Sequence, residues 1–425
     1  MNILLLFGIL FFCVSLSLPI GASLGLATVV TLGLTSNIPT IMINQNAFAG
    51  LDSFPLMAIP FFMLAGNLMA VGGIAKRIVN VCDLLVGRIT GGVGMATIAA
   101  SMFFAAISGS GPATVSAMGT IMLPEMEKRG YDRGFATGLT ATAGTIGVII
   151  PPSIPFVIYG VVASASIGEL FIAGVIPGIL IGMALMVVCY VLSVKEGYKG
   201  SVRSDLKFWA VFRDSIWALI TPVIILGGIY GGIFTPTEAA VVGIVYSLVV
   251  GAFIYKELNW KTFVAALRST ADLNGLTGFA IGFSMAFASY LAMEQIPVKA
   301  AAFLTSYVSN ETVLICLILV ILLIVGLFVD NISSCLILTP VFLPIVKSMG
   351  MDPVQFGVVM TTALAIGFVT PPYGANLFVA SAISGLTIER IAKSAIPFLL
   401  AMVLCLLLIT FVPALTMGLV GIMKS

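Results

Sequence analysis

Long apolar runs joined by short polar stretches dominate this chain. About 18 apolar residues in a helix suffice to cross a bilayer. Runs of that order fall at 168–194, 214–232, 235–254, 271–293 and 394–418. The ~10-residue alternation of an outer-membrane barrel does not appear. The pattern predicts an all-α polytopic membrane protein.

Two runs are interrupted in the same way. Residues 146–155 read IGVIIPPSIP and residues 366–375 read IGFVTPPYGA. Proline removes a backbone donor and clashes with the carbonyl four residues back, costing about 3 kcal/mol in a helix interior. Stretches 135–165 and 354–385 are therefore expected to be broken helices. Two more apolar stretches, 92–124 and 312–346, carry SGSGPAT (108–114) and VDNISS (329–334) at their middles. Small, polar and helix-breaking residues there predict a turn in each.

Charge orients the chain. Cytoplasmic loops of membrane proteins are rich in Lys and Arg. The largest basic loop, 195–213, holds Lys195, Lys199, Arg203, Lys207 and Arg213, and is placed inside. Threading outward from it leaves only Lys299, Lys347 and Lys424 outside, out of 19 Lys and Arg. Trp209, Trp217 and Trp260 then fall on the cytoplasmic flank, where an aromatic belt would put them. Both flanks of 92–124 lie inside and both flanks of 312–346 lie outside. Each stretch is thus expected to be a re-entrant helical hairpin. Residues 1–51 carry no charge and are read either as one tilted span or as two spans broken near Pro19. The run near 1–16 lacks the positive start of a signal peptide and is expected to be retained.

The chain also repeats itself at an offset of 220 residues. Between 123–177 and 343–397 the identities include Leu123-Pro124 with Leu343-Pro344, Gly130 with Gly350 and Asp132 with Asp352. They also include Ile146-Gly147 with Ile366-Gly367, Pro151-Pro152 with Pro371-Pro372 and Glu169 with Glu389. The same offset lays Ser110-Gly111 on Asp330-Asn331. The two hairpins enter from opposite sides, so the halves form an inverted repeat, 1–210 and 211–425, as in many secondary transporters. Scaffold and transport units interleave across both halves. The segment 255–269 is amphipathic and reads as an interfacial collar, with 37–49 as its counterpart. A fixed collar around moving hairpins and broken helices is an elevator-type arrangement.

Composition removes other chemistries. There is no histidine, so histidine metal sites and catalytic triads are excluded. No Gly-Lys pair occurs, so no P-loop is present. The six cysteines make no CxxC and read as small buried hydrophobes. A net charge of +2 offers no footprint for nucleic acid. The chain is not read as an enzyme. A broken helix frees carbonyls that can hold a cation, and exposes amides that favour an anion.

Ser108 and Ser110 are expected to face the first break, beside Gly147. Asp330 and Asn331 are expected to face the second, beside Gly367 and Thr370. Hard oxygens of this kind suit Na⁺. Asp330 is the one carboxylate placed deep in the membrane, a functional-site candidate by default; the alternative is a hairpin cap bonded to backbone donors. The serines have a similar alternative, bonding back to helix carbonyls. Asn376, Thr114 and Ser334 are candidate substrate contacts, or partners for freed carbonyls. The run Glu125–Arg129 reads as a solvated cytoplasmic turn.

These stretches, together with LDSFPLMAIPFFMLAGNLM (51–69), LPEMEKRGYDR (123–133) and FTPTEAA (234–240), resemble the large membrane subunit of tripartite ATP-independent periplasmic (TRAP) transporters. The resemblance runs over essentially the whole chain. It implies sodium-driven uptake of an organic acid anion (dicarboxylate, keto acid or sugar acid) across the bacterial inner membrane, with Na⁺ as coupling ion and no other cofactor. It implies two protein partners, a small TRAP membrane subunit and a periplasmic substrate-binding protein. Carried over residue by residue, it points to Ser108, Ser110, Gly147, Ile150 and Pro152 for one sodium site. For the other it points to Asp330, Asn331, Gly367, Thr370 and Pro372. As nothing precedes the first apolar run, the small subunit is expected on a separate chain. The rival reading is a stand-alone sodium-coupled dicarboxylate or citrate-type carrier with the same inverted hairpins.

Overall fold

A computed structural model describes residues 2–16, 18–35, 39–200, 208–307, 310–372 and 374–424. Arg203 and Lys207 of the basic loop, and Tyr373 beside the second break, lie outside these. The first half runs α1 (Asn2–Ser15), α2 (Ile20–Thr35), α3 (Ile41–Leu51), α4 (Ala58–Val71), α5 (Ile74–Val86), α6 (Gly92–Ser108), α7 (Gly111–Lys128), α8 (Arg133–Ala143), α9 (Ile154–Ala163) and α10 (Ile167–Glu196). The second runs α11 (Phe208–Tyr230), α12 (Pro236–Val249), α13 (Trp260–Met293), α14 (Ile296–Tyr307), α15 (Glu311–Gly326), α16 (Asn331–Ser348), α17 (Pro353–Gly367), α18 (Ala375–Ser384), α19 (Ile388–Phe411) and α20 (Ala414–Lys424). Among the described residues no strand occurs, and 7 helical stretches are long and apolar enough to cross a membrane.

The repeat is visible in the elements and in their caps. Helices α7, α8, α9 and α10 begin at 111, 133, 154 and 167; α16, α17, α18 and α19 begin at 331, 353, 375 and 388. Asp132 accepts from Phe135 N at 2.9 Å to start α8, and its equivalent Asp352 accepts from Val354 N at 2.7 Å to start α17. Each carboxylate satisfies an orphan amide of a first turn and favours the positive end of the helix dipole.

Side chains fix the relative direction of the halves. Asp132, at the start of α8, pairs with Arg390, in the first turn of α19, which follows α18, at 3.5 Å. Tyr159, midway along α9, donates its hydroxyl to the Pro353 carbonyl at the start of α17, at 2.6 Å. The stretches α8–α9 and α17–α18 therefore run antiparallel, as an inverted repeat requires. Both ends of the α6–α7 hairpin meet at one residue: Tyr198 O accepts from Gly91 N at 3.2 Å, and Tyr198 Oη from Asp132 N at 3.1 Å. The Tyr198 ring stacks on Tyr131 with centroids 4.3 Å apart.

A second knot lies at residues placed on the cytoplasmic side. Arg77 of α5 pairs with Asp214 of α11 at 3.1 Å and with Glu257, before α13, at 2.7 Å. Its guanidinium sits 3.6 Å from the centroid of the Tyr255 ring. Arg77 is 13% exposed, which strengthens each interaction over its value in open water. All three tryptophans stand exposed.

Two boundaries differ from the sequence reading. The collar 255–269 is not a separate segment: α13 runs unbroken through 34 residues, because no proline occurs within it. The counterpart segment 37–49, whose residues 37 and 38 lie outside the described residues, does stand apart as α3, parted from α4 by a 3-10 turn at Phe54–Met57 that contains Pro55. The expected crossing 394–418 is divided between α19 and α20 at Pro413, which cannot donate to continue the helix. Among the described residues up to 35, two helices, α1 and α2, stand on either side of Pro19, so the stretch is not one continuous helix. Five of the six cysteines are buried and all are free.

The antiparallel halves make a labelling prediction. In a Cys316→Ser background, a membrane-impermeant maleimide should modify Asn310→Cys in intact cells. It should reach Asp132→Cys and Arg390→Cys only after permeabilisation. Modification of Asp132→Cys in intact cells would overturn the orientation.

Candidate functional site

The first tip and the first break come together. Helix α8 tightens into a 3-10 turn over Gly144–Val148, and regular helix resumes at Ile154. Ile154 N donates to Gly109 O, at the tip, at 3.2 Å. Thr114 donates its hydroxyl to Ser110 O at 2.8 Å, and the Ser108 and Thr114 hydroxyls lie 3.0 Å apart. Ser110 caps α7 through Ala113 N at 3.4 Å. A methyl group on Gly147 would fall 2.6 Å from both Ser110 O and Thr114 Oγ1. Only glycine lets this backbone lie so close to the tip oxygens. Ser108, Ser110, Thr114 and Gly147 thus form one cluster of hydroxyl and carbonyl oxygens. Pro152 closes on the tip as well, its carbonyl 2.8 Å from where a methyl on Gly109 would sit. Ile150 is buried, its side chain against Gly178 of α10, so any part it plays in the cluster is through its main chain.

The second tip has the same skeleton and different chemistry. Asp330 caps α16 by accepting from Ser333 N with Oδ2 at 3.0 Å. Its other oxygen, Oδ1, is buried with no hydrogen-bond partner. The cap alternative for Asp330 therefore accounts for half of the carboxylate and leaves the other half free. Asn331 points along α17 rather than to the break, donating Nδ2 to Thr361 O at 3.4 Å. Thr370 donates to Ile366 O at 2.9 Å. Gly367 packs directly on Gly326, the last residue of α15, with no room for a side chain between them. The Pro151-Pro152 and Pro371-Pro372 bonds are both cis. The first pair is buried, whereas Pro371 and Pro372 are exposed. Asn376 donates to Ala141 O in α8 at 3.0 Å, so it serves a main-chain carbonyl of the other half.

Sequence reasoning passed over several members. Ser153 donates to Val148 O at 2.6 Å, bridging the first break. Ser333, Ser334, Thr361 and Thr362 are fully buried, and their hydroxyls have no partner. Of these only Ser334 was singled out. The signal was available: at the repeat offset Ser333 and Thr361 replace Ala113 and Ala141. Among the described residues no group of three or more His, Cys, Asp and Glu could hold a metal ion.

The family model for the tripartite ATP-independent periplasmic transporter, DctM component, matches residues 7–415. The chain belongs to this family. This DctM component is 44% identical over 98% of its length to the isethionate TRAP transporter permease protein DctMQ of Oleidesulfovibrio alaskensis. The chain spans 66% of that relative, about two thirds of its length. It is 40% identical to the C4-dicarboxylate TRAP transporter large permease protein DctM of Pseudomonas aeruginosa, covering 93% of each chain. It is 38% identical to the sialic acid TRAP transporter large permease protein SiaM of Vibrio cholerae, covering 94% of each. In fold it is similar to the Alcanivorax borkumensis YdaH transporter, with a TM-score of 0.61 at 15% identity over 87% of this chain and 86% of that one. As a member of this transporter family, the DctM component is not an enzyme.

The two close backbone approaches can be tested. Gly147→Ala and Gly367→Ala should each abolish transport and destabilise the fold, by about 1–3 kcal/mol for an overpacked interior. Gly227→Ala, with open space around it, should leave both unchanged. Uptake assays and thermal unfolding in detergent read the two effects; normal transport by Gly367→Ala would show that the contact is dispensable.

Proposed function

We propose that this DctM component drives uptake of an organic acid anion across the bacterial inner membrane by sodium symport. A periplasmic binding protein delivers the substrate, and a small membrane subunit completes the permease. The relatives are permeases for isethionate, C4-dicarboxylates and sialic acid, which supports an organic acid as substrate. The family is ATP-independent by description, so the driving force has to be an ion gradient or the substrate's own. One observation carries the sodium reading: Asp330 keeps a buried oxygen without a partner at the start of α16, four residues past Gly326, which packs on Gly367 at the end of α17. Burying a charged oxygen unpaired is costly, and a bound cation offsets that cost.

Ser108, Ser110, Gly147, Ile150 and Pro152 supply the first sodium site. Asp330, Gly367, Thr370 and Pro372 supply the second; Asn331, whose amide is turned to Thr361 O, joins it only through its main chain. Thr114 and Ser334 stand at matching places behind the tips, where an anion could also reach helix amides. In this reading the two hairpins re-enter the bilayer and move as a unit with the broken helices, in an elevator motion against the scaffold. Ion pairs at Arg77 and the Asn67–Thr270 bond of 2.8 Å brace that scaffold.

Reconstitution into liposomes with both partners tests this. Isethionate, succinate and sialic acid serve as probes, with inward sodium and proton gradients applied separately. Sodium-driven uptake is expected for at least one probe, and Asp330→Ala should reduce it to background. Full sodium-driven uptake by Asp330→Ala removes the second site. Uptake that needs no binding protein restores the stand-alone carrier.

A further inference from the structure

The two candidate cation sites meet at one side chain. Asn376 is the second residue of α18 and is completely buried. Its main-chain N–H donates to Phe368 O at 3.0 Å, just past the end of α17, so its backbone belongs to the second break. Its side chain leaves that break for the other half, with Nδ2 donating to Ala141 O. A carbonyl can only accept, so this bond fixes which end of the amide faces α8. The other end, Oδ1, is buried and has no partner.

That free oxygen is aimed at the first tip. A methyl on Gly111, the residue after Ser110, would come 3.0 Å from Asn376 Oδ1 and equally close to the Phe368 ring. A methyl on Gly144, three residues before Gly147, would come 3.2 Å from Nδ2. The amide therefore sits between the tip and the broken helix that together form the first site. At the repeat offset the matching residue is Phe156, which has no polar group. Phe156 therefore offers no matching connection in the other direction.

We infer that Asn376 is a positioning residue that couples occupancy of the two sodium sites. A cation that draws the first tip onto α8 sets the Gly111–Ala141 spacing, and with it the amide. Through its backbone bond the amide then sets the end of α17, where Gly367 and Thr370 lie. Coupling of this kind is reciprocal, so each ion strengthens the binding of the other. The inference rests on the sodium reading above.

Sodium titrations of thermal stability test it without a transported substrate. The full chain with its membrane partner is purified in detergent, and NaCl replaces KCl at constant ionic strength. The wild-type response should be cooperative, with a Hill slope approaching about 2, the number of sites. Asn376→Leu, which removes both ends of the amide, should respond with a slope of about 1. Asn376→Asp keeps the shape, turns the donor into an oxygen facing Ala141 O, and should behave alike; it carries the test if the leucine variant does not fold. A wild-type slope of about 1, or variants as steep as the wild type, overturns the coupling and leaves the sodium reading intact. A wild-type chain whose stability ignores sodium sinks both.

Discussion

A backbone that stops being helical inside a bilayer must find new partners for its amides and carbonyls, because hydrocarbon offers none. The two proline breaks of this chain make the same demand, since there too amides and carbonyls lose their helical partners. At the first break, Ile154 N reaches the tip carbonyl of Gly109, and Ser153 serves Val148 O. Asn376 crosses from the other half to serve Ala141 O. Each is a local answer to an unpaired group, and together they hold the tip against the break. The oxygens left over are the ones available to an ion.

The skeleton of this arrangement was legible in the sequence because it is written in residues with few conformational options. Proline pairs mark where helices stop, Gly147 and Gly367 mark where backbones touch, and Asp132 and Asp352 mark where helices start. All of these recur at one offset, and the matched helices start within one residue of it. Side-chain direction was not legible. Asn331 lies beside the second break in sequence yet bonds along α17, and Asn376 bonds to the opposite half. Both contacts depend on packing between segments 30 and 235 residues apart, which no local pattern encodes. The continuity of α13 was missed for a related reason. An amphipathic start followed by an apolar run looks like two elements, but without a proline nothing separates them.

The halves share geometry and differ in polarity. The first site is built from hydroxyls and carbonyls that already bond to one another, behind a sealed proline pair. The second adds a carboxylate and a row of buried hydroxyls on α16 and α17, and its proline pair is open to the surface. The two frames match at the repeat offset, but the second carries Asp330, Asn331, Ser333 and Thr361 where the first has Ser110, Gly111, Ala113 and Ala141, and is the more polar. Such replacements cost stability in an apolar interior unless a partner arrives.

That cost bears on how ion binding and motion would be linked. With Oδ1 of Asp330 buried and unpartnered, the packed second tip is disfavoured by the desolvation of a carboxylate oxygen. A cation removes the penalty; water reaching the oxygen removes it too, but only if the tip opens. Closed packing and cation occupancy therefore favour each other for an electrostatic reason. A sealed first site, whose oxygens satisfy one another, carries no such penalty. Under the proposed sodium reading, the second tip is the place where an ion would most influence the shape of the protein, and Asn376 is where that influence would pass to the other half.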